Sequence, residues 1–135
     1  WMYGGWPESG EIDIMEHVGY DPGRVHGSIH TGSYNHKINT QRGGSKLLDK
    51  ISSKFYVYAI EWYEDRIDFL IDDSKYFSFQ NDGKNDFNTW PFNQRFHLLI
   101  NIAVGGDWPG SPDETTQFPT EMELEYVRVY EKIQP

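Results

Sequence analysis

The sequence predicts an all-β protein, an antiparallel β-sandwich of the jelly-roll kind. Three observations carry this. Side chains alternate with a period of two through several segments, no stretch of ten or more residues keeps a clean helical period, and turn-formers such as Asp21-Pro22-Gly23, Asn81-Asp82-Gly83 and Trp108-Pro109-Gly110 punctuate the chain. Alternation marks strands with one face in a core, and short strands between turns assemble into sandwiches. The aromatic content of 16%, with 9 Tyr, 8 Phe and 5 Trp, agrees, since rings favour strands.

Glu11 to Glu16 (EIDIME) alternates acid with apolar, and Val25 to Thr31 reads as a second strand. Phe55 to Tyr63 is dense in aromatic and β-branched residues; Arg66 to Ile71 alternates, with Glu64-Asp65 between them as a hairpin turn. Arg95 to Val104 sets Phe96, Leu98, Ile100 and Ile102 against His97, Leu99, Asn101 and Ala103. Glu121 to Tyr130 sets Met122, Leu124 and Tyr126 against Glu123, Glu125 and Val127. Both are expected to be strands.

No repeat, linker or low-complexity tract divides the 135 residues, and one domain is the expectation. Twelve Lys and Arg against 21 Asp and Glu give a net charge of -9, which argues against nucleic acid or an anionic membrane as partner. Cysteine is absent, so disulfides and thiolate metal sites are excluded. No apolar run approaches the roughly 20 residues that span a bilayer.

The chemistry is concentrated in Glu11 to Glu16. On an extended strand residues two apart share a face, so Glu11 and Asp13 point one way while Ile12 and Ile14 point the other. Glu16, at an odd separation from both, falls on the wrong side unless one extra residue is accommodated, so a β-bulge is expected around Met15. Five residues of strand rise roughly 16 Å, whereas two carboxyl groups that work together as nucleophile and acid on one bond stand about 5 to 5.5 Å apart. Only a concave surface makes the side chains converge. The plain alternative is a solvated acidic face, but three close acids repel and contribute little to folding.

Extended to Trp6-Pro7-Glu8-Ser9-Gly10-Glu11-Ile12-Asp13-Ile14-Met15-Glu16, the segment resembles the signature of glycoside hydrolase family 16, in its laminarinase-like branch of endo-β-1,3- and β-1,3-1,4-glucanases. Val25-His26-Gly27-Ser28-Ile29-His30, the run from Asn101 to Gly110 and Tyr126-Val127-Arg128-Val129-Tyr130 extend the resemblance along the chain. It implies retaining, endo-acting hydrolysis of β-1,3 or mixed β-1,3/1,4 glucan by a secreted protein, extracellular or periplasmic. Glu11 would be nucleophile, Glu16 the acid and base, and Asp13 their assistant. Trp6, His30, Asn35, Asn101, Trp108 and Trp1 become substrate-binding candidates. For Trp6 and Trp108 the rival role is core packing, for His30 a packed or surface position, and for Asn35 and Asn101 satisfaction of turn backbone.

Two residues stand between Asp13 and Glu16, whereas relatives restricted to mixed-linkage glucan and the xyloglucan transglycosylases usually show one. Galactan hydrolases of agarase and carrageenase type share the longer form and remain an alternative. So do transglycosylation and a non-catalytic β-glucan-binding module, although all three acids are kept here. No cofactor is required by the mechanism. The set His26, His30 and His36 lacks the carboxylate pattern of a zinc site; a structural calcium, with Glu125 at the position of an acidic ligand, is an expectation from the resemblance alone. Residues 1–135 are expected to be the C-terminal portion of one catalytic domain, because family members usually carry about a hundred further residues ahead of the catalytic strand. A complementary N-terminal chain or segment, or a swapped homodimer, would then complete the sandwich.

Overall fold

Alternating segments become strands where a neighbour completes their backbone hydrogen bonds, and the computed structural model, which describes residues 4–133, separates the segments that have one from those that do not. The chain divides into two compact units, Trp1–His97 and Leu98–Pro135. In the first, β1 (Glu11–Glu16), β2 (Arg24–His30) and β3 (Arg42–Leu47) form one antiparallel sheet in that order. A second contains β4 (Tyr58–Trp62), β5 (Arg66–Ile71) and β6 (Ser74–Gln80), also in that order. This is the expected all-β sandwich of jelly-roll kind.

The inner faces meet in a core of Ile29 from β2, Ile67 and Phe69 from β5, Phe79 from β6, and Trp90 and Phe92 from the following loop. Each such side chain contributes about 1.5–3 kcal/mol on burial. Trp90 stacks on Phe79 at 5.6 Å between ring centroids, and both meet Phe92 edge-on. Rings of the second sheet press on bare backbone of the first. A Cβ at Gly27 would meet the Tyr76 hydroxyl and sit 2.7 Å from Phe69 Cδ1, and one at Gly44 would sit 2.7 Å from Phe77 Cβ.

β1 carries the predicted irregularity. Asp13 pairs with Ser28 and Glu16 with His26, so three steps along β1 are matched by two along β2, and one residue of β1 is extra, the definition of a bulge. On the outer face of the second sheet, Asp68 is 2% exposed. It is covered by the groups that bind it: Ser78 Oγ at 2.5 Å, Arg66 Nε at 3.1 Å and Lys75 Nζ at 3.4 Å. Burial pushes its carboxyl up, but the donors of Ser78 and Arg66 and the charge of Lys75 outweigh it and hold it below the usual aspartate value.

The second unit corrects two expectations. Arg95 to Val104 and Glu121 to Tyr130 form no strand among the described residues; Phe96 packs against the core of the first unit, but from Leu98 onward large apolar side chains stand exposed, Leu99 at 77% and Val129 at 92%. Alternation specifies which side chains could share a face; a strand also needs an adjacent backbone for its N–H and C=O groups, and neither segment pairs with one. Trp108-Pro109-Gly110 does turn the chain, closing an isolated bridge with Gly106 N–H donating to Gly110 O at 3.1 Å and Gly110 N–H to Gly106 O at 3.0 Å.

Candidate active site

Cross-strand partners in an antiparallel pair share a face. The pairings Glu11 with His30, Asp13 with Ser28 and Glu16 with His26 therefore put all three acids of β1 on one face with both histidines and the serine of β2. Ile12, paired with Ile29, turns toward the core. Without the bulge Glu16 would point inward with the isoleucines.

Each acid meets different partners. Glu11 accepts a hydrogen bond from the indole Nε1 of Trp6. Glu16 accepts one from Ser28 Oγ at 3.2 Å. Asp13 Oδ2 lies 3.3 Å from His30 Nε2, the side chains 15% and 10% exposed. That contact falls short of hydrogen-bond geometry and leaves Asp13 Oδ2 buried without a hydrogen-bond partner among the described residues; the other ring nitrogen of His30, Nδ1, is likewise buried without one.

Burial, then the charge of Asp13, pushes the Glu16 carboxyl above the usual glutamate value, against the opposing pull of Ser28, His30 and His26. Burial also raises Asp13, with Glu11 adding to it and His30 opposing. For His30 burial acts downward, but Asp13 and the negative charges of Glu11 and Glu16 outweigh it and leave the imidazole raised. A carboxyl whose protonated form is favoured by burial, beside a second that accepts an indole hydrogen bond, can divide acid and nucleophile roles between two like residues.

Trp6 reaches this face from the turn before β1. Its ring centroid lies 5.8 Å from that of His30 and 4.9 Å from that of His36, and the Lys37 ammonium stands 4.7 Å from the indole centroid. Beyond Glu16 a groove of about 320 Å³ runs over β2 and β3, lined among others by His26, Ser28, Gln41, Gly43 and Ser45. Its small residues leave space for a polymer, and its hydroxyl and amide groups match sugar hydroxyls.

Asn35 is 3% exposed and donates its amide hydrogens to Thr31 O at 3.0 Å and Gly32 O at 3.2 Å, holding the loop after β2. Asn101 and Trp108 belong to the second unit, where both are exposed. Trp1 lies outside the described residues. The described residues assemble no group of three or more His, Asp or Glu side chains that could hold a metal ion; Glu125 is exposed in the second unit, and no step below runs through a metal. Sequence reading passed over Ser28 as a partner of Glu16 and His36 and Lys37 as neighbours of Trp6. The parity of Ser28 with His26 and His30 was the available signal for the first; the loop that brings up the other two has none.

Comparison with known proteins agrees with this geometry. The model of the glycosyl hydrolases family 16 matches residues 1–128. A beta-glucanase of Rhodothermus marinus is 50% identical over 130 residues, covering 93% of this chain and 46% of that protein. The X-ray structure of the Rhodothermus marinus laminarinase superposes with a TM-score of 0.76 at 51% identity, over 80% of this chain and 45% of the other. The laminarinase catalytic domain of Thermotoga maritima gives 0.75 at 39% identity, over 84% and 47%. The chain thus spans less than half of each of these three relatives. With the family model matched from the Trp6 turn through the bulged acidic strand to the final tyrosine-rich segment, this chain belongs to glycosyl hydrolase family 16.

Proposed function

We propose that the protein is a retaining endo-β-glucanase that cleaves β-1,3 or mixed β-1,3/1,4 glucan through a glycosyl-enzyme intermediate. The observation that carries the reading is the bulged strand that gathers Glu11, Asp13 and Glu16 on one face while giving the two glutamates opposed surroundings. Glu11, oriented by the Trp6 indole, attacks the anomeric carbon. Glu16 donates its proton to the departing oxygen, then as carboxylate takes one from water, which releases the sugar from Glu11 with net retention. Burial, with the charge of Asp13 adding to it, favours the protonated form of Glu16 that the first step uses. The groove beyond Glu16 receives the leaving portion of the polymer.

The likeness to a beta-glucanase and to laminarinases supports β-glucan over galactan as substrate, and with it an extracytoplasmic site of action; the described residues contain no helix long and apolar enough to cross a membrane. The exposed alternating side chains of the second unit support a complementary pairing segment. Reducing-sugar release from laminarin, lichenan and agarose is the test, with Glu11→Gln as control and the anomeric form of the first product read by NMR. Release from the glucans with β-anomer formed first supports the proposal. Binding without release identifies a glucan-binding module, and release from agarose alone a galactan hydrolase.

A further inference from the structure

Ser28 has no part in the mechanism above, yet it makes the hydrogen bond that fixes Glu16. In register it faces Asp13, while Glu16 faces His26. The bond from Ser28 Oγ to Glu16 Oε2, 3.2 Å long, is therefore diagonal across the strand pair, a separation that the long glutamate side chain spans. The bulge between Asp13 and Glu16 puts Glu16 on the face of Ser28, where that bond can form. We propose that Ser28 is the positioning residue of the acid/base: its hydroxyl holds Oε2 of Glu16 at the place where the bulge delivers it, leaving Oε1 as the oxygen that carries the proton to and from the groove. This rests on the glucanase reading and deepens it.

The surroundings leave Ser28 suited to that task. Its neighbour on β3 is Gly43, where an added Cβ would lie 2.6 Å from Gly27 O and 3.4 Å from Ser28 Oγ, so bare backbone keeps the space beside the hydroxyl open. The charged groups that act on Glu16 are Asp13 from its own strand and His26 and His30 from β2; β3 presents Gly43 and Ser45 on this face. Asp13 favours the protonated carboxyl and the histidines the ionised one. Ser28, an uncharged donor, also favours the ionised form, which is the form needed to activate water. The hydroxyl thus serves the second chemical step while Asp13 serves the first.

The experiment compares Ser28→Ala and Ser28→Thr with the parent in the full chain. One readout needs no turnover: titration of the Glu16 carboxyl by carbon-13 NMR, assigned with Glu16→Gln. The other is kcat and KM on laminarin across pH. Loss of the hydroxyl is expected to move the Glu16 titration and the basic limb of activity to higher pH and to lower kcat on the order of tenfold, as for one hydrogen bond to a charged group, with KM little changed. Ser28→Thr, which keeps the donor and has the Gly43 space for its methyl, restores both. A Glu16 titration unmoved in Ser28→Ala, or a loss of kcat that threonine does not restore, overturns the proposal. A moved titration in a chain that releases no sugar from glucan upholds the positioning role and overturns the hydrolase reading instead.

Discussion

Replacing Gly27 by alanine tests whether the acid-bearing sheet is seated directly on the rings beneath it. The new Cβ would lie 2.7 Å from Phe69 Cδ1 and against the Tyr76 hydroxyl. Carbon atoms settle at about 3.5–4.0 Å, so the deficit is roughly an ångström. The Tyr76 hydroxyl is the end of a side chain and can swing, but Phe69 is fully buried and cannot. Overpacking of this kind costs ~1–3 kcal/mol, and an immovable neighbour places Gly27→Ala in the upper half, about 2–3 kcal/mol. With a urea dependence of ~1–3 kcal/mol per molar, the unfolding midpoint followed by tryptophan fluorescence falls by about 1 M. Gly19→Ala is the control, since a Cβ there meets nothing within 4 Å. Adding Tyr76→Phe to Gly27→Ala recovers part of the loss, because it deletes a hydroxyl that is buried without a partner; the Phe69 overlap remains. Gly27 lies between His26 and Ser28, so kcat/KM falls too, by as much as ~100-fold for an ångström of displacement. Equal midpoints for Gly27→Ala and Gly19→Ala would refute the argument.

Four further outcomes are expected. Asp13→Asn removes the charge that helps raise Glu16 and the partner that raises His30, so the basic limb of activity and the imidazole titration both move to lower pH; limbs that stay in place contradict the electrostatic account. Glu16→Gln abolishes hydrolysis yet stabilises the fold at neutral pH, because a raised carboxyl is penalised when ionised in the native state; the gain in urea midpoint vanishes as pH falls through the folded and then the unfolded value. Trp6→Phe keeps a ring beside His30 and His36 but deletes the donor to Glu11, lowering kcat roughly tenfold with the urea midpoint unchanged. Asp68, held low by Ser78, Arg66 and Lys75, contributes stability above the ordinary aspartate value of about 3.9 that is lost as pH falls through its depressed value; Asp68→Asn therefore flattens the acid end of the stability profile measured by urea unfolding.

Much of the site was legible in the sequence because the period of a strand is short. The odd separation of Asp13 and Glu16 was enough to demand a bulge between them, and Arg66 to Ile71 was readable to the residue, since its alternation continues to both ends. β3 escaped because its strand, Arg-Gly-Gly-Ser-Lys-Leu, is poor in the residues that mark strands; Gly44 answers to the Phe77 ring of β6 and Gly43 to the backbone of β2, tertiary demands that no local pattern records. The opposite error came at Arg95 to Val104 and Glu121 to Tyr130, where a good pattern lacks the neighbouring backbone it requires. Asn35 has the chemistry of both a sugar ligand and a turn residue, and the structure decides for the second, with its amide donating to Thr31 O and Gly32 O.

The bulge has a consequence for how this segment tolerates changes of length. A gene variant lacking Met15 would need no bulge: the shortened strand would run on regularly from Asp13 and still bring its last acid opposite His26. One extra codon would act differently. In a regular strand the displaced glutamate would regain the correct face only opposite Arg24, two residues further along β2, a slide of roughly 7 Å that carries it beyond Ser28 and away from Glu11. Deletion here preserves the geometry in outline, whereas insertion dismantles it.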